Sequence, residues 1–99
     1  MTHDEKAALV NSLRSICGDC ERWHCGVEVG ALGSQIEFFI EDKTRDHWCI
    51  LYAEAVNGMV YDEGWLAHGR PTTVARVLED WRKKWPELVA QWDARGFLQ

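Results

Sequence analysis

Apolar residues recur at helical spacing at both ends of this chain and alternate with polar residues in the middle. Leu9, Leu13, Ile16, Cys17 and Cys20 mark one face of a first helix. Thr2 stands at its N-cap, with Glu5 three residues on as the capping-box partner, and Gly18 offers the left-handed position that ends a helix. The period then changes to two. "VEV" (27–29) and "QIEFFIE" (35–41) alternate, with Ile36, Phe38 and Ile40 on one side and Glu37, Phe39 and Glu41 on the other. "ALGS" turns the chain between them, and "EDKTRD" (41–46) is a polar turn.

"HWCILYAEAVNGMVYDEGW" reads as a second hairpin about Asn57-Gly58, residues that accept the positive φ of a two-residue turn. That turn sets Val56 opposite Met59, Glu54 opposite Tyr61, Tyr52 opposite Glu63 and Ile50 opposite Trp65, with Trp48 on the same face. The other face carries Cys49, Leu51, Ala53, Ala55, Val60 and Leu66. Small residues let a helix approach closely, so this second face is assigned to the core. The aromatic and acidic face is left open, although Trp48, Ile50 and Tyr52 are equally apt to pack inside.

"GWLAHGRP" (64–71) reads as a loop, and Thr72 or Thr73 caps the next helix. Val74, Val77, Leu78, Trp81 and Trp85 form its apolar face. Pro86 suits the first turn of a further helix through Leu88, Val89 and Trp92, closed by Gly96 with Phe97 and Leu98 folding back. The expectation is one α+β domain over residues 1–99: an N-terminal helix, a four-stranded antiparallel sheet of two hairpins, and two C-terminal helices.

Composition supports a globule with its own core: 99 residues, 46% hydrophobic, 27% charged and six Trp. Charge narrows the choice of partner. The net charge is −5, and it is unevenly spread: residues 1–69 hold twelve acidic and five basic side chains, residues 70–99 four and six. An acidic body repels phosphates and favours basic partners, so direct nucleic-acid binding is not expected. "MTHDEKAALV" lacks the apolar stretch of a signal peptide, and no apolar run reaches membrane-spanning length. The expected location is a reducing cytoplasm, where cysteines read as thiols or metal ligands.

"CGDCERWHC" (17–25) gathers three of the four cysteines and one of the four histidines. Cys17 and Cys20 make a C-x2-C pair of the kind that binds zinc. His24 or Cys25 is a candidate third ligand, and Cys49 or His47 a fourth. A zinc ribbon carries two such pairs and this chain has one. Cys17 and Cys20 also share the apolar phase of the first helix, which favours buried structural thiols and no cofactor. A redox role is disfavoured, because the pair follows a helix C-terminus and not an N-terminus.

Enzymatic motifs are missing. His24 and Cys25 are adjacent on a strand and point to opposite faces, and neither a nucleophile elbow nor a phosphate-binding glycine loop is present. His68 is a lone loop histidine. In "WRKKW" (81–85) the two tryptophans belong to the buried stripe, which leaves Arg82, Lys83 and Lys84 as a solvated face.

What remains is an acidic surface with aromatics among its carboxylates: Glu28, Glu37, Phe39, Glu41, Asp42, Tyr52, Glu54, Tyr61, Asp62, Glu63 and Trp65. Carboxylates at strand spacing complement a Lys/Arg surface built for nucleic acid, and aromatics add hot-spot burial. The alternative is a solvated face chosen for solubility.

In size, acidity and the acidic strand ends "EFFIED" and "VYDEG", the chain resembles the small acidic inhibitors encoded by phages and mobile elements, including anti-CRISPR proteins. The resemblance implies a non-enzymatic protein that binds a host nuclease or surveillance complex in the host cytoplasm and blocks its basic nucleic-acid channel. A zinc-stabilised cytoplasmic adaptor, clipped by "CGDCERWHC", is the alternative. The exposed edges of the sheet leave both a monomer and a homodimer open.

Overall fold

The computed structural model describes residues 2–18, 21–30, 35–56, 59–63 and 73–95, excepting the side chains of 59 and 61–63. Helix α1 (His3–Cys17) is followed by strands β1 (Trp23–Val29), β2 (Gln35–Asp42), β3 (Trp48–Val56) and β4 (Met59–Glu63), then by helix α2 (Val74–Arg95). A short 3-10 turn, Lys43–Arg45, separates β2 from β3.

Local chemistry accounts for the ends of α1. The Glu5 N–H donates to Thr2 Oγ1 at 3.1 Å, and the Thr2 N–H donates to Glu5 Oε1 at 3.2 Å. Gly18, at φ 72°, takes the left-handed cap and donates its N–H to the Arg14 carbonyl at 2.8 Å. Leu9, Leu13, Ile16 and Cys17 are the buried face.

The strands form one antiparallel meander in the order β1-β2-β3-β4. β1, β2 and β3 are its three-stranded body, and β4 pairs with the outer side of β3. Both expected hairpins are present, β1 with β2 and β3 with β4, and the pairing of β2 with β3 joins them into one sheet. Both helices lie on one face of the sheet. The core between the layers holds Phe38, Ile40, Leu51, Ala53, Val60, Val77 and Trp81, each at most 2% exposed. Phe38 and Trp81 meet at 5.3 Å between ring centroids, and Trp23 meets Trp85 edge-on at 4.9 Å. Ala53 and Ala55 are the small inner positions that admit this packing.

The expected pair of C-terminal helices is corrected: α2 runs through Pro86 as one helix of 22 residues. Pro86 removes a backbone donor and crowds the carbonyl one turn back, a cost of about 3 kcal/mol. The apolar stripe outweighs it. Val77, Trp81, Leu88 and Trp92 are all buried and keep one phase on both sides of the proline. Breaking the helix would lift Leu88 and Trp92 from the core, and each such side chain gains about 1.5–3 kcal/mol by burial. Gly96, Phe97 and Leu98 lie outside the described residues.

A β-bulge corrects the assignment of faces on β3. The register shifts between Ile40 and Glu41, with Ile40 opposite Leu51 but Glu41 opposite Cys49. Ile50 is the extra residue, and it is buried along with Leu51. One inserted residue exchanges the faces before it, so Cys49, expected in the core, is exposed, while Ile50, whose face the sequence leaves open, is in the core. Trp48 is 59% exposed at the strand start. Leu66 lies outside the described residues.

Asp42 ends β2 pointing inward and is 0% exposed. Its Oδ2 accepts from Trp92 Nε1 at 2.9 Å and from Arg22 Nη2 at 3.1 Å. Its Oδ1 accepts from Thr44 Oγ1 at 2.6 Å and the Thr44 N–H at 2.9 Å. Burial pushes this carboxyl's pKa up, but the hydrogen bonds from Thr44, Arg22 and Trp92 outweigh it and hold the pKa at about 2. Arg22 continues to Asp93 Oδ1 at 2.6 Å, and Arg45 donates to the Trp92 carbonyl at 3.0 Å. This network ties the end of β2 to the last turns of α2.

Candidate functional site

The face of the sheet opposite the helices is where the proposed partner-binding residues gather. Antiparallel pairing lines them up in rows across the strands. One row is His24, Glu41 and Cys49. The next is Gly26, Phe39 and Tyr52, and the third is Glu28, Glu37 and Glu54. On β4, Glu63 pairs with Tyr52 and Tyr61 with Glu54.

In the third row three carboxylates stand directly opposite one another on adjacent strands. Strands lie about 4.8 Å apart, so the row spans about 10 Å. Like charges placed this way repel. The Gln35 side-chain amide donates to Glu54 Oε1 at 3.0 Å and supplies a neutral partner. Among the described residues none of the three forms an ion pair. Glu28, Val29, Gly30, Gln35 and Glu37 line a shallow depression at this end of the face.

The middle row is aromatic. The Phe39 ring lies over Gly26 so closely that a Cβ there would come within 2.3 Å of its Cζ. The ring is thereby laid flat along the sheet, with the His24 ring 6.4 Å away. A glycine inside a strand marks such a close approach, and Gly26 is the member of the site that the sequence reading passed over. In the first row His24 Nε2 is 3.9 Å from Glu41 Oε1. Burial, and secondarily the Glu41 charge, push the Cys49 thiol up.

Of the residues expected on this surface, Glu28, Glu37, Phe39, Glu41, Tyr52 and Glu54 share it. Asp42 does not: it is the buried centre of the Arg22–Thr44–Trp92 network and offers a partner nothing. Asp62 pairs with Ala53 through the backbone, and Trp65 lies outside the described residues.

The cysteine cluster divides between the faces. Cys17 and Cys25 are buried under the helix layer, with their sulfurs 3.4 Å apart. His24 and Cys49 are on the opposite face, so they cannot complete a tetrahedron with that pair. Cys20 lies outside the described residues. Among the described residues no group of three or more His, Cys, Asp and Glu side chains is placed to hold a metal ion, and no helix is long and apolar enough to cross a membrane. No family model, curated protein or solved structure matches the chain.

Proposed function

We propose that the outer face of the sheet is a docking surface for a basic protein, and that the chain acts as a non-enzymatic inhibitor that occupies the nucleic-acid-binding site of a host defence complex. The observation that carries this reading is the cross-strand row Glu28–Glu37–Glu54. A rigid sheet holds three carboxylates in line against their mutual repulsion, and a row of Lys or Arg side chains relieves that repulsion on binding. Phe39 and Tyr52, beside the row, supply the aromatic contact area that anchors interfaces. Complementary charge of this kind speeds encounter and makes it sensitive to salt.

The test uses a panel of RNA-guided nuclease complexes loaded with fluorescent target DNA. The expected result is release of DNA from a susceptible complex, weakening as salt rises. Reversing Glu28, Glu37 and Glu54 together to Lys should abolish release while leaving the circular-dichroism spectrum unchanged. Absence of release across the panel, or equal release by the reversed variant, overturns the proposal.

A further inference from the structure

Two sulfur atoms meet where α1 packs on β1. Cys17 is the last residue of α1, and Cys25 is the third of β1, on its inner face. Their Sγ atoms lie 3.4 Å apart, and the two residues are 9% and 7% exposed. The helix holds one thiol: Cys17 Sγ lies 3.5 Å from the Leu13 carbonyl and 3.8 Å from the Arg14 carbonyl. The sheet holds the other, with Cys25 opposite Ile40. A thiol is a weak donor, so the helix contacts give way readily to a covalent bond.

A disulfide sets its sulfurs about 2.05 Å apart, so closure from 3.4 Å needs an approach of about 1.4 Å. That is on the scale of side-chain rotation at two residues, one of which ends its helix. Gly18, at φ 72°, caps α1 immediately after Cys17. Helix ends open locally more readily than helix middles, which admits a molecule little larger than water to a pair that a bulky oxidant does not reach.

We propose that Cys17 and Cys25 are a peroxide-sensitive pair that closes reversibly into a disulfide, clipping the end of α1 to β1. The pair is distinct from the C-x2-C pair, whose second member is Cys20. One thiol sulfur attacks hydrogen peroxide: the O–O bond breaks, one water leaves and a sulfenic acid remains. The second sulfur then attacks the first, the S–O bond breaks, and that oxygen departs as a second water with the second thiol's proton. Two thiols and one peroxide give one disulfide and two waters, and the sulfurs lose the two electrons that the peroxide gains. Burial slows the first step. The neighbouring sulfur makes the second step intramolecular and fast. Cys49 is exposed on the opposite face, out of reach of both sulfurs, so its sulfenic acid is not resolved by them.

The test is tryptic mapping of the full chain after hydrogen peroxide, with the remaining thiols alkylated under denaturing conditions. Cleavage after Arg14, Arg22 and Lys43 separates Cys17 from Cys25. Residues 15–22 should nevertheless stay joined to residues 23–43, with Cys20 alkylated, until dithiothreitol parts them. The same link should form in Cys20→Ala. In Cys49→Ser, which leaves the exposed thiol out of the reaction, peroxide should raise the urea midpoint and dithiothreitol should return it, because the closed loop restricts the unfolded chain. Oxidation of Cys49 in the wild type with Cys17 and Cys25 both still alkylated overturns the pair. So does a link made through Cys20 or lost in Cys20→Ala. A urea midpoint that falls on oxidation overturns it too, since the bond would then pull α1 and β1 from their native positions. None of these readouts involves the proposed basic partner, so this inference and the docking surface fail separately.

Discussion

Trp92 donates its indole N–H to Asp42 Oδ2 at 2.9 Å, joining the last turns of α2 to the end of β2 inside the core. The bond satisfies a large aromatic that burial would otherwise leave with an unpaired donor. It also gives Asp42 a third donor residue beside Thr44 and Arg22, which keeps a buried carboxylate ionised.

Acid should therefore undo this junction. The folded pKa of Asp42, about 2, lies below its ordinary 3.8. A depressed carboxyl pKa contributes stability that is fully present above the ordinary value and lost as pH falls toward the folded one. Denaturation midpoints should fall between about pH 4 and pH 2 in the wild type, and that step should shrink in Asp42→Asn. At neutral pH the same substitution removes the charge facing Arg22 and should cost about 3 kcal/mol. Equal acid steps in the two proteins would remove Asp42 from this role.

Pro86 makes the opposite prediction. The helix passes through it because Leu88 and Trp92 are buried beyond it, not because the backbone favours it there. Pro86→Ala returns a donor to α2 and removes a clash, and it should stabilise the protein by about 1–3 kcal/mol in a denaturant titration, reduced somewhat by the looser unfolded chain. A helix that truly restarted at Pro86 would gain nothing.

Thiol labelling followed by peptide mapping separates the cysteines by face. Cys49 should react before Cys17 and Cys25, which are buried against each other. Its rate should still be climbing above the usual thiol range, because partial burial and then Glu41 raise its pKa. Glu41→Gln should shift that rate profile to lower pH. Equal labelling of the three in the folded protein would contradict the placement of Cys17 and Cys25 in the core.

The elements legible in the sequence are those fixed by neighbours. Thr2 and Glu5 make their box within one turn, and the alternation of Ile36, Phe38 and Ile40 places them inside without reference to the rest. What was illegible depends on distant partners or on a single-residue slip. Asp42 looks like a solvated strand end until Arg22 and Trp92, 20 and 50 residues away, are brought to it. The extra residue at Ile50 reverses the faces of Trp48 and Cys49, and no local pattern announces a bulge. Pro86 reads as a helix start by local preference, and only the continuous stripe from Val77 to Trp92 overrules it. The candidate site lies between these cases. Its glutamates are visible one by one, but their alignment depends on two strand registers.

That alignment yields the prediction most specific to the docking surface. Glu37 is the middle carboxylate of the row, with Glu28 on one side and Glu54 on the other. Directly opposed like charges destabilise a sheet by a few tenths of a kcal/mol to about 1 kcal/mol. Glu37→Gln removes both repulsions and offers its neighbours an amide donor. The variant should be more stable than the wild type in a low-salt denaturant titration. The gain should shrink as salt brings the screening length below about 5 Å. On the proposed docking function, the same substitution should weaken release of DNA from a nuclease complex, because the central charge offered to the proposed basic partner is gone. Stability and binding would then move in opposite directions, as expected of a row kept for a partner. If Glu37→Gln lowers stability, or raises it with no loss of binding, the row is ordinary solvated surface.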